Sequence, residues 1–207
     1  VPKNAAGVVI KEPMTAYGYD DAPFGHFEVD FDHVVVPASN LLGEEGTGFL
    51  IAQTRLGPGR IHHCFRTVGL AERALDLTLQ RLHAASIRGG MKLADIASLR
   101  VEVARSRIDI EQARLLVLRA AAVMDQRGAK EARFLISMAK VRVPEIALRV
   151  IDKAVQCSGA VGLSHQLPLA SWYARTRTVR FMDGPCASHL EVIAKAELLR
   201  TVQDPIS

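Results

Sequence analysis

Cysteine is scarce in this chain, and long apolar runs are missing from it. Its 207 residues include three cysteines, Cys64, Cys157 and Cys186, an odd number with spacings that predict neither a disulfide framework nor a zinc site. Reduced thiols are typical of a reducing intracellular compartment, and the sequence does not distinguish cytoplasm, mitochondrion and peroxisome. No stretch reaches the roughly 18 apolar residues that a membrane-spanning helix needs. We therefore predict no membrane span and no metal site.

The amino terminus lacks an initiator methionine and the charged and apolar layout of a secretory signal. It begins Val1-Pro2-Lys3-Asn4. We therefore expect the chain to be a piece of a longer protein or a processed product, with any targeting segment upstream of it.

A block of positive charge is also missing. The 26 Lys and Arg residues and the 22 Asp and Glu residues are spread along the whole chain, giving a net charge of +4. This pattern, without interleaved aromatic residues, does not favour a nucleic-acid partner. A slightly basic balance suits an acidic ligand such as a nucleotide, although mixed surface charge is its commoner cause.

The sequence does contain enough apolar material for a packed core, since 49% of its residues are hydrophobic. Residues 1 to about 43 differ in sequence pattern from the rest of the chain. Within them, residues 8–10, 27–31 and 34–36 are predicted to be short strands between Gly and Asp turns. We place the domain boundary between residues 43 and 44.

Beyond this boundary the apolar residues recur at helix-like intervals. Gly57-Pro58-Gly59 is expected to break or kink the first helix, Arg127-Gly128 to close the second, and Pro144 to kink the third. The predicted helices cover about 49–85, 93–126, 130–157, 168–180 and 186–201. The fold class is therefore mainly α, a bundle of long helices over residues 44–207 preceded by a short β remnant. Long amphipathic helices carry more apolar face than one small domain covers, which predicts a homodimer or homotetramer.

Two short motifs in the last quarter of the chain carry the most information on function. Gln156-Cys157-Ser158-Gly159-Ala160 ends the third predicted helix, and Asp183-Gly184-Pro185 follows the fourth. Taken alone, Gly159 is typical of a helix C-cap and Asp183 of an N-cap or turn. Arg60 is typical of an ordinary ion pair, and Lys140 and Glu145 of solvated or paired helix residues.

Three further stretches, residues 31–49, 59–76 and 136–140, occur with these motifs in an order that resembles the C-terminal half of the acyl-CoA dehydrogenase family. The resemblance covers essentially the whole chain. Residues 1–43 would be the end of the family's middle β domain and residues 44–207 its C-terminal helical bundle. Asp183-Gly184-Pro185 stands where most of the family has Glu-Gly-Thr. This motif, together with the run at residues 56–64, resembles the subgroup of family members 10 and 11, which act on longer-chain and 4-hydroxy acyl-CoA substrates.

The resemblance implies α,β-dehydrogenation of an acyl-CoA thioester, in which Asp183 takes the α-proton while the β-hydrogen leaves as hydride to FAD. It implies that Arg60 and Gly184 lie beside the substrate, and it allows an electron-accepting flavoprotein as a partner. The family's alternative base position is occupied here by Gly59. The residues that the resemblance places on FAD, partly from a neighbouring subunit, are Gln156, Cys157, Ser158, Gly159, Ala160, Pro185, Cys186, Ala187 and Arg88.

The chain also departs from the family pattern. Ala85 replaces an arginine that contacts the flavin pyrophosphate, which leaves Arg88 as the substitute, and Ala160 replaces a second glycine. Cys186 and Ala187 replace two acidic residues of the subgroup, so that only backbone contacts are expected there. The N-terminal helical domain and most of the β domain lie outside these residues. The competing hypothesis is a truncated or diverged helical oligomerisation module that is not catalytic and does not bind flavin.

Overall fold

The computed structural model describes residues 1–87 and 89–203, with side chains up to residue 199. The chain divides into two compact units, of which the first spans Val1–Thr54 and the second begins at Arg55. Two strands and five α-helices form over the described residues. The prediction of a mainly α fold with a short β element at the front is therefore confirmed.

The first unit contains a two-stranded antiparallel sheet. Strand β1 (Val8–Pro13) pairs with β2 (Phe27–Phe31) so that Val8 lies opposite Phe31. The predicted third strand, over residues 34–36, is not formed. His33 has a left-handed φ of 47° that turns the chain just before this segment, and Pro37 after it has no backbone N–H to donate. The two features together remove this segment from the sheet.

The five predicted helical segments all form, and a further short helix, Ala160–Leu163, was not predicted. Helix α1 continues through Pro58, so Gly57-Pro58-Gly59, expected to break or kink this helix, does not break it. Gly128, with φ 83° and ψ 171°, divides α2 into two helical segments, as predicted. Pro144 lies inside the second segment without ending it. The helices are α1 (Gly48–Ala84), α2 (Ala97–Ser158), α3 (Ala160–Leu163), α4 (Leu169–Val179) and α5 (Cys186–Gln203).

The core of the second unit lies between α1 and α2. Buried side chains of α1 recur every three or four residues, which gives the helix one apolar face. Helices α3, α4 and α5 pack against α2. Because this apolar face is buried in the core, the rotation of α1 about its own axis is fixed. The directions of the polar residues that border the face are fixed with it. The buried residues of this core include Ile61, Cys64, Val68, Ala71, Leu75, Ile110, Val117, Ile136, Val143 and Ile151.

No helix in the described part of the chain is both long enough and apolar enough to cross a membrane.

Candidate active site

The link between α4 and α5 carries Asp183 and is called here the Asp183 turn, residues 179–184. Asp183 and Gly184 have positive φ angles of 56° and 113°. Glycine adopts such angles freely, whereas a residue with a Cβ loses on the order of 1 kcal/mol or more. The Cys186 N–H donates to the Arg180 carbonyl at 3.2 Å across the turn. A strained residue of this kind persists only where the surrounding contacts enforce it.

Two cations from neighbouring helices supply such contacts. Arg60 of α1 donates through Nε to the Asp183 carbonyl oxygen at 2.9 Å. Lys140 of α2 donates through Nζ to the carbonyl oxygens of Val179 and Met182, both at 2.7 Å. A cation at the C-terminal end of a helix satisfies carbonyls that have no partner within the helix, and it also suits the negative end of the helix dipole. The backbone on both sides of Asp183 is therefore held by charged donors.

Sequence analysis gave two alternatives for Lys140, a solvated or a paired helix residue. The solvated alternative is wrong, and the partners are backbone carbonyl oxygens. Lys140 is only 1% exposed, and burial lowers the pKa of its amine, opposed by the nearby Cys64 thiol and Asp183 carboxyl. The sequence does contain a signal for this, because Lys140 lies on the apolar stripe of α2 beside the buried Ile136 and Val143. Its partners could not be found in this way, since they lie 39 and 42 residues further along the chain. Glu145 is ion-paired, as one of the alternatives held.

A buried histidine of α5 lies against the same turn and was missed by sequence reasoning. His189 is 6% exposed, and its Nδ1 lies 3.2 Å from Ser137 Oγ on α2. A Cβ at Gly184 would lie 3.4 Å from His189 Nε2. Burial and the nearby Arg60 and Lys140 cations lower the pKa of His189 to about 4, although the Asp183 carbonyl opposes them. The ring is therefore neutral at neutral pH.

The Asp183 carboxylate is directed toward α1. Its Oδ2 lies 3.2 Å from His63 Nε2, and its side chain is 14% exposed. Oδ2 itself is fully buried and has no aligned hydrogen-bond partner among the described residues. A Cβ at Gly59 would lie 3.7 Å from the same oxygen. The role of His63 was missed by sequence reasoning, because its partner is 120 residues away in sequence.

This arrangement can accept a proton. An ionised carboxylate has only acceptor oxygens, and Asp183 presents one on a rigid support. The Cys64 thiol beside Lys140 offers no nucleophile, since burial raises its pKa to about 12. No group of three or more His, Cys, Asp and Glu side chains within the described ranges is arranged to hold a metal ion.

The second predicted site region, the Gln156 turn (residues 156–160), comprises the last three residues of α2, Gly159 and the first residue of α3. Gly159 has φ 65° and ψ −150° and ends the helix. Gln156, Gly159 and Ala160 are exposed and Cys157 is half-buried. Ser158 is buried, at 8% exposed, and offers little surface to a ligand.

The chain does not bring the two regions together. From Lys140 to Ser158, α2 rises about 27 Å at about 1.5 Å per residue. Beside the Asp183 turn, Pro185 and Ala187 are exposed and Cys186 is half-buried. The predicted contact at Arg88 lies outside the described residues.

Comparison with known proteins identifies the family. The family model for the acyl-CoA dehydrogenase C-terminal domain matches residues 46–198. The chain is 49% identical over 200 residues to the probable acyl-CoA dehydrogenase FadE2 of Mycobacterium tuberculosis, covering 97% of this chain and 49% of that protein. It is 48% identical over 199 residues to human acyl-CoA dehydrogenase family member 11, covering 96% of this chain and 25% of that protein. The chain therefore belongs to the acyl-CoA dehydrogenase family.

The fold is found in solved structures as well. A structure from Mycobacterium abscessus aligns with a TM-score of 0.92 and 40% sequence identity, covering 97% of this chain and 49% of that chain. The predicted resemblance to the family and to its members 10 and 11 is confirmed. The chain spans about half or less of the length of these curated relatives.

Proposed function

We propose that the chain is the C-terminal half of an acyl-CoA dehydrogenase, in which Asp183 removes the α-proton of an acyl-CoA thioester. The observation that carries this proposal is the support of Asp183. Its strained backbone is held by Arg60 on its own carbonyl and by Lys140 on the carbonyls that precede it. A group that takes a proton from carbon must be placed before the substrate arrives, and rigid placement is what these contacts provide.

The substrate thioester would meet the exposed part of the Asp183 side chain. Since Oδ2 is buried, the 14% of the side chain that remains exposed lies on its other atoms, which include Oδ1. Gly184 has no side chain to obstruct this approach. Arg60 lies close to Gly184, because a Cβ there would be 3.9 Å from its terminal nitrogen. We assign Arg60 and Gly184 to the substrate side of the site.

The proposed cofactor is FAD, which accepts the β-hydrogen of the substrate as hydride when it is bound. The Gln156 turn fits part of such a molecule, because it exposes a left-handed glycine and small neighbours whose backbone can approach a phosphate or a sugar. Pro185 and Ala187 are exposed and Cys186 is half-buried, and we assign the surface of these three residues to the cofactor as well. The side chain of Ser158 is not part of this assignment. The residues assigned to FAD are Gln156, Cys157, Gly159, Ala160, Pro185, Cys186 and Ala187.

The separation of about 27 Å along α2 has a consequence for assembly. We assign the Gln156 turn to the cofactor of a neighbouring subunit and the Asp183 turn to the substrate of its own subunit. This assignment requires a homodimer or homotetramer, and an electron-accepting flavoprotein is the proposed oxidant of the reduced enzyme. A clean monomer in sedimentation of the flavin-bound protein would contradict the assignment.

The first prediction tests the base. Asp183→Asn, made in the protein that carries this chain together with its flavin-holding parts, should retain flavin and lower turnover of acyl-CoA by at least about a hundredfold, the usual scale for loss of a general base. Flavin absorbance and flavin reduction under anaerobic conditions are the two measurements. Asp152→Asn, which changes an exposed aspartate of α2, is the matched control and should leave both unchanged.

Two results would contradict the proposal. Near-normal turnover of the Asp183→Asn protein would place the base elsewhere. If the wild-type protein binds no flavin even with those parts present, the chain is a helical oligomerisation module instead.

A further inference from the structure

Three side chains form a line that ends at the Asp183 carboxylate. Arg66 lies at 2.9 Å from His63 Nδ1 through one terminal nitrogen, and His63 Nε2 lies 3.2 Å from Asp183 Oδ2. A guanidinium group has only donors. His63 Nδ1 must therefore be an acceptor, and the ring hydrogen of neutral His63 lies on Nε2, the nitrogen that faces Asp183.

Arg66 is exposed, whereas both sides of the His63–Asp183 contact are largely buried. The side chains of His63 and Asp183 are 16% and 14% exposed, so neither group can rely on bulk water. Asp183 Oδ2 is buried without an aligned partner, and a buried carboxylate oxygen left in that state costs free energy. Hydrogen bonds of a catalytic group are often poorly aligned before substrate binds and shorten afterwards. His63 Nε2 lies 3.2 Å from this oxygen, so it is near enough to donate once the contact is aligned.

The lowered pKa of His63 is consistent with a neutral ring that donates through Nε2–H. Burial lowers the pKa of His63, opposed by Asp183 and reinforced by Arg66, Lys140 and His62. Arg60 and Lys140 donate to backbone carbonyls of the turn, and His189 faces Gly184. These other groups hold the backbone of the turn, whereas His63 faces its carboxylate.

We propose that His63 is a positioning residue for Asp183: it donates Nε2–H to Oδ2 and so keeps Oδ1 directed at the substrate, while Arg66 fixes the tautomer of its ring. This proposal rests on the function proposed above for Asp183. His63 does not relay the proton in this arrangement, because its one lone pair in the ring plane is engaged by Arg66. Its effect is on the placement of the base.

The tautomer can be measured on the chain itself by nitrogen-15 NMR of labelled histidine at pH 7.5. Wild-type His63 should carry its hydrogen on Nε2. Arg66→Leu should make the Nδ1–H tautomer detectable, whereas Arg73→Leu, an exposed arginine of the same helix paired with Asp76, should not. Asp183→Asn should lower the titration midpoint of His63, because the carboxyl raises it. A wild-type Nδ1–H ring, a charged ring at pH 7.5, or a midpoint unaffected by Asp183→Asn would overturn the proposal.

Kinetics of the flavin-bound protein separate positioning from folding. His63→Leu should lower kcat by about tenfold to a hundredfold with KM within about twofold, since displacing a reacting group costs rate rather than binding. His63→Gln keeps an N–H donor and should recover most of the lost kcat. His62→Leu, at the exposed neighbouring position, is the control. Equal losses in His63→Gln and His63→Leu with an intact fold by NMR would overturn the proposal. If the wild-type protein is inactive, the proposed function fails while the NMR result still decides the geometry.

Discussion

The Asp183 turn and the Gln156 turn both lie at the C-terminal end of a helix, and both contain a left-handed residue, yet they are held in opposite ways. The first is bonded by Arg60 from α1 and Lys140 from α2 and is packed against His189 from α5. The second is held by its own backbone, through the Gly159 N–H to the Gln156 carbonyl at 3.3 Å, and is largely exposed. The first arrangement suits the proposed base, because a group that must be placed precisely gains from support outside its own sequence. The second suits the proposed cofactor contact, because a ligand needs access to the turn.

The two turns should differ most in how much their contacts contribute to the free energy of unfolding. Lys140→Ala tests the contribution of the Asp183 turn. Removing the buried ammonium leaves the Val179 and Met182 carbonyls without their charged donor, which should lower the free energy of unfolding by about 2 to 4 kcal/mol. Urea denaturation of the chain measures this. Lys153→Ala removes a half-exposed lysine of the same helix and should cost less than about 1 kcal/mol. If Lys140→Ala and Lys153→Ala lower the free energy of unfolding equally, the Val179 and Met182 carbonyls find other donors.

The second expected difference is in pH dependence. The pKa of His189 is about 4 in the folded chain, against an ordinary value of 6.5, so between these values the unfolded chain binds a proton that the folded chain does not. Stability should therefore fall as the pH is lowered from about 6.5 toward 4, by up to about 3 kcal/mol from this residue. His189→Gln should flatten this part of the stability curve measured by denaturation, and the exposed His165→Gln should not. The pKa of His63 is also lowered, so this residue adds to the pH dependence of stability in both the wild-type and the His189→Gln proteins.

The smallest expected effect on the fold comes from the Gln156 turn. Gln156→Ala changes an exposed side chain, so the free energy of unfolding should stay within about 0.5 kcal/mol of wild type. Flavin retention in the assembled enzyme should nevertheless fall, because the amide side chain would be a cofactor contact. Retention that equals wild type would leave only the backbone of this turn as the contact.

Periodicity predicted most of the fold. The spacing of apolar residues indicated the long helices, and Gly128 indicated the division of α2, because both are local properties of the chain. Two differences from the prediction are the missing strand at residues 34–36 and the unbroken helix at Pro58. The turn at His33 and the missing N–H of Pro37 keep residues 34–36 from pairing, and in α1 packing overrides the preference of the residues. A strand needs a partner, and a helix with an interior proline can persist when the residues beyond it are buried.

The candidate site was predictable only in part. The Asp183 and Gln156 motifs could be recognised, since each is a short run of residues in sequence. Lys140, His63 and His189 could not be assigned roles, because each acts on the Asp183 turn from a different helix. The chain itself gave Lys140 as a polar residue on an apolar stripe, which indicates burial. It gave no indication of which carbonyl oxygens would receive the ammonium hydrogens.

The position of Gly59 shows that two residues far apart in sequence lie at the place of the proposed base. A side chain begun there would start 3.7 Å from Asp183 Oδ2, although the two residues belong to different elements of the fold. Two separate places in the chain thus border one small volume, and only one of them carries an acidic side chain. If Asp183 is the proton acceptor, as proposed, a carboxylate side chain starting at residue 59 would begin beside the same volume, and the fold would not have to change.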